Sequence, residues 1–284
     1  MPEGSGPTSP RRRLREGPVG IFDSGIGGLT VARAIKQALP RERLLYFGDN
    51  VHVPYGERSE EELLLFSEEI TRFLLDRGAK LIVIACNTAT SAALRTLRER
   101  MPDVTFIGME PAVKPAAEHT RTGVVGVLAT IATVKGASLA SIVERFAQGV
   151  EVIQQAAPGL VRRIEAGEFD TAETESMLRG WLEPMKKRGI DALVLGCTHY
   201  PLVRPAIERI LGPDIRIIDP APAIARRVEQ VLDEQDLLAA LGQAGDLECH
   251  TSGDADLFRS MLVHIGLEGT VQEVHWSGGT ISPA

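Results

Sequence analysis

LIVIACNT at residues 81–88 returns in altered letters as ALVLGCTH at residues 192–199. Each stretch opens on an apolar run of strand length, meets a cysteine, Cys86 or Cys197, and passes into a polar, threonine-bearing turn before a helical pattern. A short, continuously apolar strand followed by a helix is the building unit of a buried parallel sheet. Three further junctions pair across the chain in the same order: VGIFDS (19–24) with VGVLAT (125–130), LLYFGD (44–49) with VEVIQQ (150–155), and IGMEPA (107–112) with IIDPAP (217–222). The separations are nearly constant and far longer than those of a solenoid repeat. The expected fold class is therefore α/β: two pseudo-symmetric doubly wound domains, each a mainly parallel sheet flanked by helices, facing each other across a cleft.

The same reading predicts strands at 18–22, 43–47, 80–85, 104–108, 123–128, 150–154, 191–195 and 214–218, with helices between them. The clearest helix is 59–77. Ser59 and Glu62 form a capping box there, Leu63, Phe66, Ile70, Phe73 and Leu74 make an apolar stripe, and Gly78 ends it. The expected division is a disordered tail at 1–17, a first domain of 18–112 plus 219–284 carrying Cys86, and a second of 113–218 carrying Cys197.

Composition narrows the function. The 284 residues are 44% hydrophobic and 24% charged, ordinary for a folded soluble protein. A formal charge of −7 supplies no cationic field for nucleic acid or an anionic membrane, and no apolar run approaches the roughly 20 residues of a spanning helix. Three cysteines without a CxxC spacing indicate neither a disulfide framework nor a zinc knuckle, and a cytoplasmic setting is expected. The segment 1–17, with Arg11, Arg12, Arg13 and Arg15 and no apolar stretch, does not read as a secretory signal. Trp276 could serve a dimer contact or dock on the chain's own surface.

The chemistry centres on Cys86 and Cys197. A thiol at the start of a helix meets unpaired amides and the positive end of the helix dipole, which favour a thiolate and can seat a carboxylate. Free cysteine is also a common core filler, and Cys249, lacking such a context, is read that way. Packing alone gives no reason for the same thiol at both equivalent places of a repeat. Two thiols facing one cleft suit a base on one face of a carbon and an acid on the other, as stereoinversion at a Cα requires. Asp23, at the end of the first strand, and His199, two residues after Cys197, are natural proton-holding neighbours.

Cofactor chemistry is not expected. DSGIGG (23–28) lacks the third glycine of a dinucleotide loop, Thr30 standing there, and Asp23 would repel a pyrophosphate. No metal is expected, because Cys197 and His199 lack ligand spacing and a fourth partner. No lysine follows a strand in a phosphate cup of the kind pyridoxal phosphate needs. A two-domain protein that only binds a small anion stays open as a rival reading.

FDSGIGG (22–28), VPYG (53–56), ACNTATS (85–91) and GCTHYPL (196–202), in that order, resemble the cofactor-independent aspartate/glutamate racemase family and, within it, the glutamate racemases. The resemblance extends from about residue 18 to TSGD (251–254). It implies interconversion of L- and D-glutamate by thiol and thiolate, supply of D-glutamate for peptidoglycan synthesis, and a homodimer. It further implies that Cys86 serves one face of the Cα with Asp23, and Cys197 the other with His199 and Glu165. Asp23, Ser24, Tyr55, Gly56, Asn87, Thr88, Thr133, Thr198 and His199 would hold the substrate. The chain departs from the family pattern at Gly136 and Leu139, and at Ala157 and Arg162 ahead of Glu165. A racemase or decarboxylase of the same superfamily acting on another acid is the second enzymatic reading.

Overall fold

The structure is a computed structural model that describes residues 14–283. Eleven strands are seen among them: β1 (Val19–Asp23), β2 (Leu44–Gly48), β3 (Leu81–Ile84), β4 (Phe106–Gly108), β5 (Val124–Ala129), β6 (Glu151–Ala156), β7 (Ala192–Gly196), β8 (Arg216–Ile218), β9 (Leu247–Thr251), β10 (Thr270–Ser277) and β11 (Thr280–Pro283). They form a seven-stranded sheet, ordered β11-β10-β9-β2-β1-β3-β4, and a four-stranded sheet, ordered β6-β5-β7-β8. Every pairing is parallel except β10 with β11. The run β2-β1-β3-β4 in the first sheet has the order of β6-β5-β7-β8 in the second, so the repeat in the sequence is a repeat of strand order.

Every residue of β1, β2, β3 and β7 is buried. Helices cover both faces of such strands, which is why they read as continuous rather than alternating apolar runs. One apolar cluster takes in Ile21 and Val83 from the first sheet and Leu193 and Leu195 from the second, so the two sheets share a core. The helix Glu60–Asp76 begins at the expected box: the Ser59 hydroxyl accepts from the Glu62 amide at 3.2 Å, and the Glu62 carboxylate accepts from the Ser59 amide at 2.9 Å. Gly78 follows its end with φ of 82°.

The sequence reading missed β9, β10 and β11. In β9 the run LECHT is half polar, and only its insertion between β2 and β10 buries His250 and Thr251. Trp276 on β10 docks on the chain itself, its indole N–H donating to Asp49 at 2.9 Å and its ring lying edge-on to Phe66. Among the described residues no helix is long and apolar enough to cross a membrane.

The expected tail also needs correction at its end, while residues 1–13 lie outside the described residues. Residues 14–16 form a helical turn, and the Arg15 carbonyl accepts from Lys80 Nζ at 3.0 Å. Lys80 and Glu42 make a buried ion pair of 2.6 Å, with side chains 0% and 2% exposed. Lys80 also donates to the Leu237 carbonyl at 2.9 Å, and Glu42 accepts from the Ala239 amide at 2.6 Å. Four segments distant in sequence are thus tied by one pair of charges, which satisfies groups that burial would otherwise leave orphaned. Lys80→Ala strands the Glu42 carboxylate and is expected to cost about 3 to 5 kcal/mol of unfolding free energy, read by denaturant titration.

Candidate active site between the two sheets

Both sheets end their strands toward one cleft. Residues brought to its wall are Ser24 after β1, Tyr55 and Gly56 after β2, Cys86, Asn87 and Thr88 after β3, and Cys197, Thr198 and His199 after β7. These nine sequence candidates line a single cavity with Pro54, Thr130, Val161 and Gly196. Asp23, Thr133 and Glu165 stand behind that wall, bonded to residues on it. Thr130 went unnoticed in the sequence, although the pairing of VGIFDS with VGVLAT sets it opposite Ser24.

Cys86 stands at the N-cap of the helix Asn87–Arg100, beside the amides of its first turn. Burial nevertheless pushes this thiol well above its ordinary pKa, and the neighbouring Asp23 charge pushes it further. Cys86 therefore holds its proton, with Asp23 as its charged neighbour. Asp23 is itself fully buried, and burial raises its carboxyl against the opposing pull of His199 and of the Gly28 and Ser24 amides. Its Oδ2 accepts from the Gly28 amide at 2.7 Å and from the Thr198 hydroxyl at 3.3 Å, while Oδ1 has no partner in the protein.

The opposite wall carries a different charge. Cys197 Sγ lies 3.7 Å from His199 Nδ1, and His199 Nε2 lies 2.5 Å from Glu165 Oε1. Burial lowers the imidazole pKa, but hydrogen bonds and charge from Cys197 and Glu165 outweigh it and raise His199 well above its ordinary value. Both ring nitrogens then carry protons, one donated toward the sulfur and one toward the carboxylate. The sulfur of Cys197 thus has a cation beside it.

The glycines of DSGIGG serve this wall. A Cβ on Gly25 would stand 2.0 Å from Glu165 Oε1, and one on Gly27 would stand 2.4 Å from His199 Nδ1. With no side chains there, the Ile26 amide donates to Glu165 Oε1 at 2.9 Å. The loop therefore receives a carboxylate and an imidazole from the second sheet's side, whereas a phosphate loop would receive a ligand.

The remaining candidates supply polar atoms. Asn87 is 4% exposed, and neither of its amide atoms has a partner in the protein. Buried polar groups are seldom left so, and this one lies on the cavity wall. Thr88, Thr130 and Thr133 form a hydroxyl triangle with spacings of 3.1, 3.4 and 3.0 Å. Tyr55, which also borders the cavity, donates its hydroxyl to Asp49 at 2.7 Å. Arg162 meets Glu57 at 2.6 Å with both side chains exposed, and Leu139 is buried in the second sheet's core.

Residues 25–228 match the family model described as Asp/Glu/Hydantoin racemase. The chain is 50% identical over 256 residues to a glutamate racemase of Stutzerimonas stutzeri, covering 90% of this chain and 96% of that protein. Among solved structures, a glutamate racemase isoform of Bacillus anthracis superposes with a TM-score of 0.84 at 33% identity, covering 94% of this chain and 99% of the other. The Escherichia coli glutamate racemase in complex with L-glutamate and the activator UDP-MurNAc-Ala gives 0.80 at 33% identity, covering 92% and 99%.

The charge on His199 has a measurable consequence. Because its folded pKa is raised, its contribution to stability is complete below the unfolded value of about 6.5 and is lost as pH rises through the folded value. In ¹⁵N NMR the His199 ring is expected to remain doubly protonated at pH 7. Glu165→Gln is expected to move its titration to lower pH and to flatten the alkaline fall in unfolding free energy.

Proposed function

The chain belongs to the Asp/Glu/hydantoin racemase family, and we propose that it interconverts L- and D-glutamate by proton transfer between the Cα and two cysteines. The observation that carries this reading is the pair of thiols on one cavity at equivalent places of the repeat, each with its own charged partner. Relatives at about half identity bear the same activity in their names.

In this reading Cys197, beside the His199 imidazolium, starts as the thiolate and Cys86 as the thiol. Cys197 takes the Cα proton from one face, and Cys86 delivers its proton to the other. The product is the opposite enantiomer, and the enzyme is left with Cys86 as thiolate and Cys197 as thiol, ready for the reverse hand. The pair keeps one negative charge throughout, so no charge need enter or leave the cleft. Asp23 hydrogen-bonds the Cys86 proton, and His199 with Glu165 balances the charge at Cys197. Ser24, Tyr55, Gly56, Asn87, Thr88, Thr133 and Thr198, with Thr130, hold the substrate. Amides at the start of the helix Asn87–Arg100 and in the turn after Cys197 suit its carboxylates and the negative charge that develops as the proton leaves.

The same reading assigns residues 18–112 with 219–284 to one domain and 113–218 to the other, following the division of strands between the sheets. It makes the protein a cytoplasmic homodimer supplying D-glutamate for peptidoglycan synthesis. Light scattering on the purified chain tests the dimer.

Incubation of either enantiomer in D₂O is expected to yield the other carrying deuterium at Cα. Cys86→Ser and Cys197→Ser are each expected to lower kcat at least about a thousandfold with folding retained, since a hydroxyl of similar size is a far weaker acid. Full turnover by both variants would overturn the mechanism. Exchange of aspartate or a hydantoin with glutamate inert would reassign the substrate, and tight binding without exchange would reassign the protein as a binder.

A further inference from the structure

Glu165 is gripped from the far side by a residue that neither the repeat nor the family motifs bring forward. Asn50 sits in the short turn Asn50–His52 that follows β2, and its Nδ2 donates to Glu165 Oε2 at 2.8 Å. Its Oδ1 accepts from the Thr251 hydroxyl at 2.9 Å, at the end of β9. That hydroxyl accepts from the Gly253 amide at 3.1 Å, leaving its own proton to point at Asn50 and fixing which way the Asn50 amide faces.

The space for this side chain is made by absent ones. A Cβ on Gly253 would stand 2.7 Å from Asn50 Cβ, and one on Gly48 would stand 3.0 Å from Asn50 Oδ1. The turn is also pinned, the Val51 amide donating to Ser252 Oγ at 3.1 Å. Asn50 thus joins the ends of β2 and β9, in the first sheet, to a carboxylate carried by the helix Leu160–Glu165 beside the second. The two Glu165 oxygens divide their work: Oε1 meets His199 and the Ile26 amide, and Oε2 meets Asn50.

Building on the reading of Cys197 as one of two proton-transfer groups, we propose that Asn50 is a positioning residue for that half of the reaction. It holds the Glu165 carboxylate in the orientation that keeps His199 aimed at Cys197. It does not line the cavity itself, and Cys86, on the other wall, has Asp23 as its neighbour and no hydrogen bond to Asn50, Glu165 or His199. The asymmetry is the distinguishing feature, because a residue that merely stabilised the fold would weaken both proton transfers alike.

The test is Asn50→Ala and Thr251→Val, assayed with L- and D-glutamate bearing hydrogen or deuterium at Cα. Asn50→Ala is expected to lower kcat on the order of tenfold with KM within about twofold and an unchanged melting temperature, the loss of one hydrogen bond to a charged group. Thr251→Val acts in the same direction and less strongly. The decisive readout is the isotope effect. Once transfer at Cys197 limits the rate, the effect of Cα deuterium rises for the enantiomer whose proton Cys197 removes and falls for the enantiomer whose proton Cys86 removes, since Cys197 then only delivers its own proton to the carbanion. Equal changes for the two enantiomers, an unchanged kcat, or a loss tracking a lower melting temperature would overturn the proposal.

Asn50→Asp supplies a rescue. Its carboxyl can donate to Glu165 only when protonated, so its activity relative to the unaltered protein is expected to recover toward acid pH. The groups sharing this field are Glu165 and, around His199, Cys197 and Asp23, while Asp49 and His52 on the turn itself are paired with each other at 2.8 Å. No acid recovery would overturn the proposal. A readout free of activity separates it from the assigned reaction: the ¹⁵N resonances of the His199 ring are expected to shift in Asn50→Ala without substrate. An unperturbed His199 defeats the role of Asn50 whatever the enzyme does, whereas an unaltered protein inert toward glutamate defeats the assigned reaction and leaves this shift to decide the role of Asn50.

Discussion

Glu165 and His199 reach from the second sheet's side into the loop Ser24–Gly28, and hydrogens in place of side chains at Gly25 and Gly27 are what admit them. Much of the site's geometry follows from that close approach. It lets the Ile26 amide hold Glu165, which holds His199, whose other nitrogen meets Cys197. The loop is braced from its own side as well, the Tyr46 hydroxyl donating to the Gly25 carbonyl at 2.6 Å and Asp23 accepting from the Gly28 amide. A methyl group at Gly25 would push the two sheets' contributions apart at the point where they must meet.

The repeated fold then acquires unequal walls. Strand order is the same in both halves, and each cysteine follows the same strand of its unit. What surrounds each sulfur is not repeated. Cys86 sits at the first turn of a helix, where burial and, after it, the neighbouring Asp23 carboxyl hold the thiol in its neutral form. Cys197 sits before a tight 3₁₀ turn against a protonated imidazole. The sign of the nearest charge sets the walls apart: a carboxyl stands beside Cys86 and an imidazolium beside Cys197.

The first sheet's extra strands matter to this arrangement. β9 places Thr251 and Ser252 beside β2, and β10 brings Trp276 onto Asp49. Asp49 is fully buried and accepts from His52, Tyr55, Ser252 and Trp276, so the loop that carries Tyr55 and Gly56 to the cavity is held by residues more than 190 positions away in the chain. Asn50 lies in the same knot, one residue further on.

By itself the sequence determined the strands that are buried on both faces, because such strands must be continuously apolar. It determined the capped helix Glu60–Asp76, because its box is local, and the thiols of Cys86 and Cys197, because a duplicated junction displays them twice. It did not disclose β9, whose LECHT takes its burial from neighbours, or Thr130, whose polarity looks ordinary until the cavity closes around it. Asn50 was likewise invisible, since its partners Glu165 and Thr251 come from distant segments. The tertiary structure alone decided which glycines make room for which side chains, and which charge faces each sulfur. Those are contacts between residues far apart in the chain, and local pattern carries no record of distances that only packing sets.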